Sequence, residues 1–121
     1  MYTLISKWTI IPSKEKEALE AIKYLALKVH EEEPDTWVYM VHTPDFSEPN
    51  LPTPAQGEVV FFEIYKDKTA FTAHVAGRVF TDFVQKHAHL FLSNYGQPYV
   101  TLEIMEHQAG FMRNEICEPY K

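Results

Sequence analysis

Apolar residues recur along this chain with a period that changes several times, and each change marks an element boundary. Residues 2–11, Tyr-Thr-Leu-Ile-Ser-Lys-Trp-Thr-Ile-Ile, are rich in β-branched and aromatic side chains and predict a first strand that stops at Pro12. Ser13 then offers a helix cap. From Ser13 to about Glu32, the residues Leu19, Ile22, Leu25, Ala26 and Val29 recur at three- and four-residue intervals, which lays one apolar stripe along a helix. Glu15 and Glu17 fall in its first turn, where the helix dipole favours them, and Pro34 ends it. Residues 37–43 and 58–66 read as a second and a third strand. Between them, Pro44, Pro49, Pro52 and Pro54 remove ladder donors and Gly57 adds a breaker, so residues 44–57 must form a loop.

After the third strand, residues 68–75 predict a short helix and residues 78–92 a longer one, with Gly77 at the break. Val79, Phe80, Phe83, Val84, His87, Leu90 and Phe91 supply the apolar face of the longer piece. Residues 94–98, Asn-Tyr-Gly-Gln-Pro, are a turn cluster, and residues 99–107 alternate well enough for a fourth strand. The order β-α-β-β-α-α-β predicts an α+β fold of the ferredoxin-like split type: a four-stranded antiparallel sheet with helices on one face. Residues 1–109 account for this domain, and residues 110–121 form a C-terminal extension that either reaches a partner subunit or frays.

The third strand carries large apolar residues in both alternation registers: Val59, Phe61 and Tyr65 in one, Val60, Phe62 and Ile64 in the other. Helices on one face leave the second set in water. A second copy laid face to face would cover it, so a homodimer is expected.

The chain has 121 residues, enough for one domain with its own core, and is 45% hydrophobic and 14% aromatic. Its formal charge of −6 argues against nucleic acid or an anionic membrane as partner, because both recruit excess Lys and Arg. The single cysteine, Cys117, excludes an internal disulfide and suits a reducing compartment. No run approaches the length of a membrane span, and no signal-like segment opens the chain. The expectation is a soluble cytoplasmic protein.

The segment 58–74 hands an extended aromatic run over to a short helical run ending in His74. Its residues Phe62-Glu63-Ile64-Tyr65, Asp67, Ala70-Phe71 and Ala73-His74 resemble the strand-to-helix signature of the antibiotic biosynthesis monooxygenase family, with a likeness extending over about residues 2–106. The resemblance implies a dimeric α+β barrel and, for several members, oxidation of a small aromatic quinol or polyphenol-like substrate by dioxygen with no bound cofactor. The same barrel hosts lactone isomerase-type proton transfer, and a non-catalytic ligand-binding module is the reading from a different class. A haem-degrading relative places Asn, Trp and His where Ser6, His74 and Val84 stand here, so that activity is not implied. Tyr65 replaces the Trp often found at the end of the third strand.

From the residues themselves, a neutral His74 imidazole is suited to taking a proton from a phenol, although the same position suits a helix-end histidine set against the dipole. The resemblance favours the base. Glu63 shares a strand face with Phe61 and Tyr65, so its carboxylate enters an aromatic setting as a catalytic partner of His74, a substrate contact or a structural hydrogen-bond acceptor. Tyr39, Tyr65, Trp37 and Phe61 offer flat surface for an aromatic ligand, and equally for packing. Four scattered glycines leave no dinucleotide fingerprint or phosphate loop, so no flavin or nicotinamide is expected. Nor is a metal: His87 and His89 are two apart on a predicted helix and point away from each other, while His30, His42 and His107 fall on separate elements.

Overall fold

In the computed structural model, which describes residues 1–113, the chain forms one sheet layer and one helix layer. The elements are β1 (Tyr2–Thr9), α1 (Glu15–Glu32), β2 (Thr36–His42), β3 (Glu58–Tyr65), α2 (Lys68–Ala76), α3 (Arg78–His87), the short strands β4 (Ser93–Asn94) and β5 (Gln97–Pro98), and β6 (Thr101–Met105). The main sheet has the order β2-β3-β1-β6 with antiparallel neighbours throughout. This is the ferredoxin-like α+β arrangement that the element order predicts.

The two registers of β3 divide as expected. Val59, Phe61, Glu63 and Tyr65 are buried beneath the helices, together with Leu4, Ser6 and Trp8 of β1. The core centres on the Trp8 indole, whose ring lies 5.1 Å from Phe91, 5.8 Å from Phe61, 5.9 Å from Phe83 and 6.0 Å from Phe80. Aromatic rings at such separations add specific edge and offset contacts to their area burial. The opposite sheet face carries Ile5, Val38, Met40, Val60, Phe62 and Ile64 in adjoining registers, and all but Ile64 remain partly exposed.

Several expectations need correction. Ser13 does not cap α1: its φ of 73° and the bond from Lys14 N–H to Ile11 O (3.0 Å) place it third in a tight turn whose second residue is Pro12. The helix starts at Glu15, one residue later than a Ser13 cap requires. The longer helix stops at His87 rather than near residue 92. Residues 88–90 tighten into a 3₁₀ turn, and the backbone of residues 90–92 bonds to the end of β1, with Ile11 N–H to Leu90 O at 2.9 Å and Leu92 N–H to Thr9 O at 2.8 Å. A continuing helix would have consumed those groups. The turn cluster is a small hairpin whose Tyr95 and Gly96 both have positive φ, 52° and 76°, as a type I′ turn demands.

Residues 43–57 form the expected loop, joined to β1 by the bond from Ile10 N–H to Gly57 O (2.8 Å). The proposed reach of residues 110–121 toward a partner falls largely on residues 114–121, which lie outside the described residues. Among the described residues, no helix is long and apolar enough to cross a membrane.

Asp67 starts α2 in the manner its position suggests, its side chain accepting from the Ala70 N–H at 2.8 Å. Gly77 ends α2 and begins α3, and a side chain there would have its Cβ 2.7 Å from the Ala73 carbonyl oxygen. The close packing of the two helices at this joint requires the missing Cβ. Gly77→Ala is expected to lower stability by roughly 1–3 kcal/mol through forced displacement of the last turn of α2. An unchanged denaturation midpoint would show that the joint absorbs the added methyl.

Candidate active site

His74 occupies the last turn of α2, yet it is not an exposed helix-end residue: only 4% of its surface is accessible. Its ring is enclosed by Phe80 at 5.1 Å, Tyr39 at 5.3 Å and Tyr65 at 5.5 Å between centroids. The Nδ1 atom lies 2.7 Å from Glu33 Oε1. Glu33 is held in turn where α1 gives way to β2: its N–H donates to Val29 O (2.9 Å), its carbonyl accepts from Thr36 N–H (3.0 Å), and Thr36 Oγ1 donates to its Oε1 at 3.1 Å. Pro34 stops the helix here and so fixes the carboxylate opposite the imidazole. With Nδ1–H donated to the carboxylate, the neutral ring carries its lone pair on Nε2.

Glu63, on β3, is 5% exposed and accepts two hydrogen bonds. Ser6 Oγ donates to Oε2 at 2.8 Å, and Tyr65 Oη donates to Oε1 at 2.5 Å. Each carboxylate oxygen has two acceptor sites, so each retains capacity for one further donor. The Tyr65 phenol is pushed far above its ordinary range, first by burial and then by the Glu63 charge. Tyr39 is shifted the same way by burial, with Glu63 and Glu33 adding to the effect. Both phenols therefore stay protonated as donors at any physiological pH.

Between α2, α3 and the sheet lies a cavity of about 170 Å³. Its accessible wall is almost entirely apolar, formed by Trp8, Phe71, Phe80 and Leu102 among others, and Ser6, Tyr39, Glu63 and His74 also line it. Of the residues singled out from sequence, the structure thus brings His74, Glu63 and Tyr39 to one cavity. Tyr65 stands behind it, touching His74 and Phe71 and bonding Glu63. Phe61 is a core residue packed on Trp8 and Tyr39 rather than a cavity wall. Trp37 does not join the site at all. It is 54% exposed, because β2 carries a bulge between Thr36 and Val38 that upsets simple alternation.

The loop at residues 43–57 contributes nothing to the cavity lining. Sequence reasoning missed Glu33, Ser6 and Phe80 as site components. A glutamate before a helix-ending proline carries no signal of a partner 41 residues away, whereas Ser6 was legible as the polar member of the inward register of β1. Among the described residues, no group of three His, Cys, Asp or Glu side chains gathers in a way that would hold a metal ion.

The sequence matches the family described as antibiotic biosynthesis monooxygenase over residues 1–86. No curated protein matches the chain. Among solved structures, one reported as an antibiotic biosynthesis monooxygenase is 23% identical with a TM-score of 0.68, the match covering 90% of this chain and 100% of that one. A protein from Caulobacter crescentus CB15, provisionally given the same designation, is 18% identical with a TM-score of 0.72, over 89% of this chain and 90% of its own. The Pseudomonas aeruginosa protein PA3566 is 20% identical with a TM-score of 0.64, over 89% and 94%. At these identities the structural likeness is one of fold.

The raised phenols set a sign for alkaline behaviour. A tyrosine whose folded-state pKa exceeds its unfolded value contributes stability that is fully present below about pH 10 and is lost as the pH rises further. Chemical denaturation should show a stability decline above about pH 10 that is shallower in Tyr65→Phe than in the parent chain. Equal slopes would mean that Tyr65 is not held protonated by the fold.

Proposed function

The chain belongs to the antibiotic biosynthesis monooxygenase family, and from that premise we propose that it is a cofactor-independent monooxygenase that oxidises a small aromatic quinol or polyphenol with dioxygen. The observation that carries this reading is the buried His74 imidazole, bonded through Nδ1 to Glu33 and lining an apolar cavity. In this reading His74 Nε2 removes the proton from a substrate hydroxyl. The resulting phenolate is electron-rich enough to give one electron to dioxygen, and the two radicals combine to form a C–O bond at a ring carbon. The ring C–H proton then leaves as the O–O bond breaks; one oxygen stays as a carbonyl and the other departs as water. For a dihydroxybenzene the sum is loss of two hydrogens and gain of one oxygen, giving a hydroxyquinone and one water without an external reductant.

The remaining residues take roles that follow from their positions. Glu33, rather than Glu63, orients the imidazole. Glu63 accepts a hydrogen bond from the substrate, Tyr39 forms a wall, and Tyr65 and Ser6 hold the Glu63 carboxylate in place. The dry, aromatic setting protects the radical pair from water. Trp37 and Phe61 have no direct part. Lactone isomerase-type proton transfer would use the same base without dioxygen, and oxygen consumption separates the two.

We further propose an isologous homodimer built on the sheet face that bears Ile5, Met40, Val60 and Phe62, whose partial exposure is unusual for a lone subunit. Sedimentation at micromolar concentration is expected to give about twice the chain mass; a stable monomer would remove this part of the reading.

With a dihydroxyarene substrate, His74→Ala is expected to reduce oxygen uptake roughly 10²-fold or more, the scale of a lost general base. Because His74 is buried, the same change also leaves the Glu33 carboxylate short of a partner and should cost about 1–3 kcal/mol of stability. Oxygen uptake that survives intact in the folded variant would sink the base assignment.

A further inference from the structure

The cavity has three properties that together restrict what enters it. Its volume is about 170 Å³, and an apolar protein cavity of about 150 Å³ is large enough for benzene. One ring with small substituents fills it; a second fused ring has to project from its open side or displace a wall. No Lys or Arg lines it, and its basic side chain, His74, is already engaged by Glu33. A ligand carboxylate would lie beside Glu63 with no cation to balance it, which opposes binding by both desolvation and repulsion. Finally, the wall is almost wholly apolar, and Glu63 behind it is acceptor-only with one bond on each oxygen from Ser6 and Tyr65, so a polar group that a ligand brings to it must be an O–H or N–H donor.

One side chain sets the size limit. Phe80 and Val75 line the cavity and also a larger groove of about 600 Å³ on the outer side, between α3 and the β4–β5 hairpin. The Phe80 ring lies 5.1 Å from the His74 ring on its inner side and 6.0 Å from Trp8, so it forms the partition. We propose that the site selects an uncharged single-ring hydroxyarene and that Phe80 is the residue enforcing the one-ring limit. The proposal rests on the monooxygenase reading for the reaction, but not for the binding.

The test is equilibrium binding to the full chain, measured anaerobically by calorimetry with three probes: hydroquinone, 4-hydroxybenzoate and 1,4-dihydroxynaphthalene. The parent protein is expected to bind hydroquinone and to bind the other two about tenfold or more weakly, since even one extra methylene against a fixed wall commonly costs that much discrimination. Phe80→Ala should gain at least about tenfold for the naphthalene diol and nothing for 4-hydroxybenzoate. Should Phe80→Ala fail to fold, Phe80→Leu removes part of the same partition and should shift the preference in the same direction. The proposal is overturned if hydroquinone does not bind, if either other probe binds the parent chain as well as hydroquinone, or if the folded variant leaves the preference unchanged. Oxygen uptake separates this from the reaction itself. Selective binding without turnover would remove the monooxygenase reading and leave the selectivity standing, whereas rapid turnover of the naphthalene diol by the parent chain would do the opposite.

Discussion

The 2.7 Å bond between His74 Nδ1 and Glu33 is the contact on which the rest of the site depends. It ties the end of α1 directly to the last turn of α2, beside the Arg78–Glu32 pair that joins α1 to the start of α3. A buried imidazole and a largely buried carboxylate are each costly alone, and the cost is offset only when the geometry is good and further hydrogen bonds satisfy the remaining atoms. Here the carboxylate gains Thr36 Oγ1 as a second donor. The pair therefore fixes ring orientation and tautomer together, before any ligand arrives. An imidazole held in this way would need little reorganisation in the proton transfer proposed for it.

A second buried carboxylate lies close by in the fold, and the two are handled differently. Glu33 meets a nitrogen heterocycle, whereas Glu63 meets two hydroxyls, from Ser6 and Tyr65. Hydroxyl donors satisfy a carboxylate without cancelling its charge, and that charge adds to burial, the larger cause, in raising the Tyr39 and Tyr65 phenols. The cavity accordingly has apolar walls with acceptor-only carboxylate oxygens behind them. The Trp8 cluster beneath it supplies the rigidity, since aromatic rings packed at 5–6 Å leave little room for the sheet wall to give.

Much of this architecture could be read from residue order. Strand period, the proline-rich loop and the helix break at Gly77 together gave the ferredoxin-like arrangement, because each depends on local chemistry that a window of ten residues contains. The strand-to-helix segment also pointed to His74 and Glu63. What could not be read depends on contacts made at long range. Glu33 looks like one more acid in the run Glu31-Glu32-Glu33, and only the turn at Pro34 and the docking of α2 distinguish it. Leu90 and Phe91 continue the apolar spacing of α3 past its end, yet the backbone there bonds to the end of β1 instead. Trp37 offers a flat aromatic surface in the sequence, but β2 holds an extra residue at that point and leaves the ring exposed.

That extra residue also bears on how the sheet ends. β2 is an outermost strand, and an outermost strand presents a row of free backbone donors and acceptors to any other chain that approaches. A foreign strand adding to this edge would have to follow a backbone that bends and twists at the bulge, and would meet the exposed indole of Trp37 beside it. Regular pairing cannot run through such a point. The irregularity that keeps Trp37 out of the cavity thus makes the edge a poor template for unlimited growth of the sheet, so that an aromatic protein with a long apolar strand at its centre keeps a finite one.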